Sequence, residues 1–328
     1  MISNNAAVRD LFFRLFNLLG LLGLLRLKKY GTTTVLCFHR VTNEKSESWP
    51  ALSPEVFAEI IGYLKKYYEI ISLDDFFHTS KKSRNVLITF DDGYDDFFYY
   101  SLPILKQNKI PAVLSIVTNS IESENYIWTQ RLNKILEEIK DIKNFQFKHK
   151  ETGIQLNSSE IINIEQYSVK IFLELLKLKP TMIISFINEL ENSLPKSVEH
   201  TKMLNWEQIN ECLNSNVYIA SHTHTHFNLA LMQDVKLIEE ELVNSKNIIK
   251  EKTGFDTQCL SFPNGMYNGS VISIAQNIGY KYLLAIGEKN NKHGITNDII
   301  YRQLIEHKCY YENIFKIENF HNLVKQII

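Results

Sequence analysis

The chain has 328 residues, of which 45% are hydrophobic and 22% charged, and its formal net charge is -1 at pH 7. This is the make-up of an ordinary folded protein with a sizeable core, of one large domain or two average ones; with no global field and no basic tract, it excludes nucleic acid as a partner. Cys37, Cys212, Cys259 and Cys309 lie far apart with no CxxC pair, which argues against a cysteine zinc site or a disulfide framework.

Residues 11–27, "LFFRLFNLLGLLGLLRL", are apolar, but Arg14 and Asn17 interrupt them and Arg26 closes them. No small-residue cleavage site follows, so a cleavable signal peptide reads poorly, and the run is short for a hydrocarbon core of ~30 Å. The expectation is an amino-terminal apolar helix within residues 1–30, packed on the domain or touching a membrane surface through residues 8–27. The chain is accordingly expected to be cytoplasmic or membrane-associated.

From residue 33 onwards strand and helix alternate. "TTVLCFH" (33–39) reads as a strand, and "SPEVFAEIIGYLKKYY" reads as a helix, with Phe57, Ile60, Ile61 and Leu64 on one face and Ser53 as its cap. "NVLITF" (85–90) is a strand, "DDFFYYSLPILKQN" a helix despite Pro103, and "PAVLSIV" the next strand. A different texture follows, rich in Leu, Ile, Lys and Glu at helical spacing, with Gly153 the single glycine of residues 130–202. It predicts a mostly helical insertion at about 122–202 in a domain spanning 31–328. The alternation resumes with strands at "NVYIAS", "QCLSF" and "KYLLAI" and helices between them, including one over residues 234–254 that stops at Gly254. Such alternation predicts a mainly parallel sheet, open or closed into a barrel, with active residues at the carboxyl ends of strands.

Three segments sit at such ends. In "LITFDDGYDD" (87–96), Asp91 and Asp92 leave the strand and Gly93 permits a tight turn, while Asp95 and Asp96 are expected to cap the following helix. In "SHTHTHFNL" (221–229), His222 and His226 have the spacing of two ligands on one helical face, and His224 points elsewhere. One of the two aspartates would join these histidines around a divalent cation, and the other would take a proton from water. In "SFPNGMY" (261–267), Pro263 and Gly265 shape a turn whose N–H groups suit a developing oxyanion.

"TFDDGY", "SHTHTH" and "FPNG", in that order on an alternating β/α chain, resemble the polysaccharide deacetylases, the NodB-homology group of carbohydrate esterases. "VLCFHRV", "KIPAVLSIV" and "MLNWEQINE" resemble lesser features of the group; in all, the likeness covers roughly residues 33–120 and 203–305.

The resemblance implies an α/β fold, a distorted (β/α) barrel of about seven strands, and hydrolysis of an N-acetyl or O-acetyl group from a hexosamine unit of a cell-surface or exported glycan or its precursor. It implies Asp91 as base, and Asp92, His222 and His226 as ligands of one divalent ion, zinc or another. It further implies the Asn264 N–H as an oxyanion donor, Pro263 and Gly265 as substrate-lining residues, and Arg302 in "YRQL" as the partner that keeps Asp91 ionised. His39 either lines the strand-one end of the site with them or packs in the core. The sequence departs from the group's pattern in three places. Ser261 stands where many members carry an arginine, Asn264 replaces a frequent aromatic, and no clear late Leu-His motif supplies a general acid, for which His307 is the nearest candidate. Two other readings compete: a non-catalytic glycan-binding or scaffolding barrel, and a hydrolase of a small C–N substrate.

Overall fold

The computed structural model describes residues 14–16, 18, 20–49, 51–78, 80, 82–287, 291–292, 299–306 and 309–318. A short helix α1 (Leu21–Leu27) leads into strand β1 (Thr32–Phe38) and helix α2 (Pro54–Tyr67). Strands β2 (Glu69–Ile70) and β3 (Asn85–Phe90) follow, then a π-helical turn, Phe97–Ser101, running into α3 (Leu102–Asn108), and β4 (Ala112–Ile116). That wide turn accommodates Pro103, which has no N–H for an ordinary i−4 bond.

Between β4 and the next barrel strand lie α4 (Trp128–Lys140), a hairpin of β5 (Gln146–Lys148) and β6 (Gln155–Asn157), α5 (Ile164–Leu175), α6 (Pro180–Asn192) and α7 (Trp206–Asn214). The hairpin is not foreseen by the helical periodicity; Gly153, at φ 73, lies in its turn. The chain continues with β7 (Val217–Ser221), α8 (Val235–Thr253), β8 (Cys259–Ser261), α9 (Gly269–Ile278), β9 (Tyr282–Ile286), β10 (Asn291–Lys292), β11 (Ile300–Leu304) and α10 (Tyr310–Ile317).

Seven parallel strands close on themselves in the order β1-β11-β9-β8-β7-β4-β3, with β3 returning to β1 over six residue pairs, from Thr33↔Asn85 to Phe38↔Phe90. The barrel is distorted at identifiable seams. β2 pairs with the start of β3, so β4 meets β3 only at Thr89 and Phe90, and antiparallel β10 covers the start of β1, leaving β11 to pair at Leu36 and Cys37.

Side chains alternate across a strand, so every second residue enters the barrel. Val35, Leu87, Val113, Ala220, Cys259, Leu284 and Ile300, one from each strand, form an apolar layer together with Ile71, Leu73 and Phe76. Two residues further along the same strands the interior turns polar, with Cys37, Thr89, Ser115, Ser261 and Arg302 all buried. The outward residues, among them Leu36, Phe38, Val86, Ile88, Phe90, Leu114 and Ile219, pack against the helices. The inserted helices own a separate core built on Trp128, Leu136, Ile171, Phe186 and Leu190.

The part of the amino-terminal segment that is described packs on the barrel. Leu22 and Leu25 are buried, the Arg26 guanidinium lies 3.7 Å from the Tyr67 ring centroid, and Phe16 meets Phe315 edge-on at 5.0 Å. Leu15, Leu18, Leu24 and Leu27 are exposed, and among the described residues no helix is long and apolar enough to cross a membrane. Residues 8–13, 17 and 19, the rest of the stretch expected to touch a membrane, lie outside the described residues.

Candidate active site

The candidate site lies at the polar end of the barrel. Asp91 leaves β3 with its N–H donating to Phe38 O at 3.0 Å, and the next residue, Asp92, takes φ 75, which turns the two carboxylates in different directions. Asp91 receives both guanidinium nitrogens of Arg302, Nη1 to Oδ1 and Nη2 to Oδ2, each at 2.7 Å. Arg302 Nη1 also donates to Thr89 Oγ1 at 3.2 Å, and the Cys37 thiol donates to Asp91 Oδ2 at 3.4 Å. Burial works to raise the Asp91 pKa, but the guanidinium, helped by His222, outweighs it and holds the carboxyl well below the usual range. Ser261, where an arginine is common in the group the sequence resembles, instead pairs with the Ser115 hydroxyl at 2.7 Å. The guanidinium enters from β11, two strands away from β8.

Asp92 faces the two histidines. Its Oδ1 lies 3.5 Å from His222 Nε2 and 3.4 Å from His226 Nε2, and the two rings are 4.8 Å apart. Both Asp92 oxygens are buried and, among the described residues, no donor meets hydrogen-bond geometry to either; burial together with the Asp91 charge pushes its pKa up to about 8, against a pull downward from the neighbouring Tyr94 hydroxyl. His222 Nδ1 lies 2.8 Å from Ser261 O, which can only accept, so Nδ1 carries the proton and Nε2 presents a lone pair. Burial lowers the pKa of both histidines and keeps the rings neutral, the form that ligates metal.

A buried carboxylate without donors beside two neutral imidazoles is a donor set suited to a divalent cation. Cys37, His39 and Asp91 also lie close enough to form a cluster, but both Asp91 oxygens already serve Arg302, whose charge would repel a cation there.

The spacing of His222 and His226 is not helical, contrary to expectation. They lie in a loop after β7 in which Thr223 and His226 adopt φ 67 and 65, and the turn is held by a bond from His226 N–H to Thr223 Oγ1 at 3.1 Å. His224 points elsewhere, with Nδ1 3.0 Å from Thr118 Oγ1. The capping role expected of Asp96 is also corrected. Its side chain caps nothing; it is buried and accepts from Arg40 Nε at 2.7 Å. A buried guanidinium binds a carboxylate more strongly than a helix end does.

These groups open into a cavity of about 820 Å³ whose lining includes His39, Asp91, Asp92, His222, His226, Asn264 and Gly265. The surroundings of His39 push its pKa down to about 4, chiefly by burial, so it is neutral at pH 7. Asn264 takes φ 57 in the turn after β8, and its side-chain nitrogen is buried without a partner. Pro263 is buried beneath that turn and is not among the lining residues, and His307 lies outside the described residues.

Gly265 explains the tightness of the turn. A Cβ there would sit 2.6 Å from Ile286 Cβ and 2.7 Å from the Ile286 nitrogen, at φ 67. Gly265→Ala is expected to lower stability by ~2–4 kcal/mol and to displace Asn264 from the cavity. An unchanged midpoint in urea denaturation would count against this account of the turn.

Sequence reasoning missed the far wall of the cavity. Trp49 of the β1–α2 loop, Thr129, Leu132 and Asn133 of α4, and Val169 and Phe172 of α5 all line it. No local pattern marks them, because their proximity comes from the packing of the insertion against the barrel mouth.

Residues 78–283, more than half of the chain and containing all three motifs, match the polysaccharide deacetylase family. The chain belongs to that family. Its curated relatives include poly-β-1,6-N-acetyl-D-glucosamine N-deacetylase of Staphylococcus aureus, 26% identical over 157 residues, or 46% of this chain and 51% of the relative. The chain thus spans about half the length of the curated relatives it matches. Solved structures agree in fold. IcaB from Ammonifex degensii superposes with a TM-score of 0.59 at 17% identity, covering 88% of this chain and 97% of the other. The Streptococcus pyogenes deacetylase PplD, solved in complex with acetate, gives 0.57 at 15%, covering 88% and 98%. The likeness in fold to these structures, and the closed barrel seen in this chain, agree with the distorted (β/α) barrel that the resemblance implies.

Proposed function

We propose that this polysaccharide deacetylase hydrolyses the N-acetyl group of a hexosamine unit in a neutral glycan. One observation carries the reading: Asp91, held ionised by Arg302, stands beside the Asp92, His222 and His226 cluster at the floor of an 820 Å³ cavity. Asp92, His222 and His226 would hold a divalent ion, with zinc the ion their donor set suits best, and when bound it supplies Lewis acidity to water and to the acetyl carbonyl.

The chain's own residues do the rest. Asp91 accepts the proton of the attacking water. Because Arg302 makes it a weak base, protonated Asp91 is a correspondingly strong acid, ready to return that proton to the departing amine nitrogen. His39, neutral at pH 7, does not arrive carrying a proton and lines the substrate. Asn264 donates from its backbone N–H to the oxygen on which negative charge develops. Among the described residues the lining includes Glu47, Glu165, Glu306 and Glu312 but no Lys or Arg, which supports an uncharged glycan over a polyanionic one. The family match and the named substrate of the staphylococcal relatives support the same class.

The test is mass spectrometry of a panel of acetylated oligosaccharides incubated with zinc-loaded protein. Replacement of acetyl by hydrogen on an N-acetylglucosamine oligomer is expected; an unaltered panel would reject the reading. His226→Ala is expected to weaken zinc binding at least ~100-fold and to abolish acetate release. Zinc bound as tightly as in the parent protein would remove His226 from the ligand set.

A further inference from the structure

The inserted helices do more than wall the cavity. On α4, Thr129, Asn133 and Glu137 recur every four residues and so share one face. The first two line the cavity. Glu137, one turn further on, reaches the β1–α2 loop. Its Oε1 accepts from Ser46 Oγ at 2.8 Å, Glu47 N–H at 3.0 Å, Ser48 N–H at 2.9 Å and Ser48 Oγ at 2.6 Å. Burial works to raise the Glu137 pKa, yet the bonds from Ser48 and Ser46 outweigh it and lower it, so the clamp is anionic at neutral pH. Lys140, at the end of the same helix, pairs with Glu47. The loop is pinched at its base by the Val41–Leu52 bridge, with Thr42 N–H donating to Leu52 O at 2.9 Å.

Trp49 sits at the end of the clamped stretch, its N–H donating to Ser46 Oγ at 3.2 Å. Trp49 lines the cavity, and its ring lies 5.2 Å from the His39 ring and 6.4 Å from that of Tyr94, edge-on to both. An indole fixed beside the reacting groups suits the C–H face of a pyranose, whose slightly positive hydrogens meet the negative π-face.

We propose that Trp49 is a stacking platform for a sugar ring of the glycan, and that Glu137 of the insertion is the positioning residue that holds this platform in place. The choice of a sugar as ligand rests on the hydrolase reading above. The insertion therefore contributes to glycan affinity through a loop of the barrel, in addition to its own wall residues.

The experiment measures binding and turnover separately. With zinc-loaded protein carrying Asp91→Asn, calorimetry gives Kd for an N-acetylglucosamine hexamer; with Asp91 intact, acetate release gives KM and kcat. Trp49→Ala is expected to raise Kd and KM roughly 5-fold or more, the scale of one aromatic contact, with kcat/KM falling through KM. Trp49→Phe should recover most of the loss. Glu137→Ala should raise KM several-fold, and Glu137→Gln, whose amide oxygen still accepts, should lie between it and the parent.

Kd unchanged by Trp49→Ala, or no hexamer binding to the parent background, overturns the platform. Kd unchanged by Glu137→Ala overturns the clamp. Hexamer binding that depends on Trp49, without acetate release from the intact protein, would reject the hydrolase reading and leave the platform standing.

Discussion

Replacing Asp91 by Asn is expected to lower acetate release by ~10³-fold or more while zinc stoichiometry stays near that of the parent. The amide keeps the shape of the side chain but has no basic oxygen to take a proton, and the proposed ligands Asp92, His222 and His226 are untouched. The variant should also be less stable. Arg302 is fully buried, and its two bonds to a carboxylate become one bond to an amide oxygen, leaving its charge without a counterion. Breaking one side of a buried pair typically costs ~3–5 kcal/mol, and the remaining amide bond places this case at the lower end. Acetate release, zinc content and a urea transition measured on one preparation check all three effects. An active Asp91→Asn protein would remove the base from the mechanism.

Arg302→Met is expected to produce the larger change in pH behaviour. In the parent protein the guanidinium holds the Asp91 pKa well below the usual range. The pair therefore contributes stability that is present above the unfolded carboxyl pKa of ~4 and lost only as pH falls through the lower folded value. Methionine removes the charge but fills much of the space, and burial is left to raise the folded pKa above ~4. Between those two values the native state then holds the proton and the unfolded state does not, so stability falls as pH rises. Above ~4, across mildly acid pH, this group therefore makes stability fall as pH rises in the variant while adding no slope in the parent protein, and the acid limb of kcat/KM moves upward by more than about one unit. Adding Asp91→Asn to Arg302→Met should restore part of the stability at pH 7, because no unpaired charge remains in the barrel. Urea transitions at a series of pH values check this divergence; parallel curves for parent and variant would show that Arg302 does not set the Asp91 charge.

The strand-end motifs were legible because each is contiguous and follows an apolar strand. The residues at 91–92, 222–226 and 263–265 all converge at one end of the barrel, as alternating β/α order implies. Their local shape was less legible. A four-residue histidine spacing suggests a helix, and only tertiary contacts impose the left-handed turns at Thr223 and His226. β11 escaped notice because "IYRQL" places Arg302 and Gln303 where a strand pattern calls for apolar residues. Arg302 faces a polar layer and an anion, so tertiary context overrides the pattern. The bonds of Glu137 to the β1–α2 loop join residues 89 to 91 positions apart, a separation at which no periodicity operates.

Two attachments of α4 bear on how such chains diversify. Trp128 Nε1 donates to the His226 carbonyl at 3.2 Å, and Glu137 gathers Ser46 and Ser48. A chimera that exchanges only the segment between β4 and β7 would lose both anchors at once, one behind a histidine and one beneath an indole. Transplanting the insertion into another barrel requires the recipient to accept residues 46–49 and the 222–227 loop as part of the same graft.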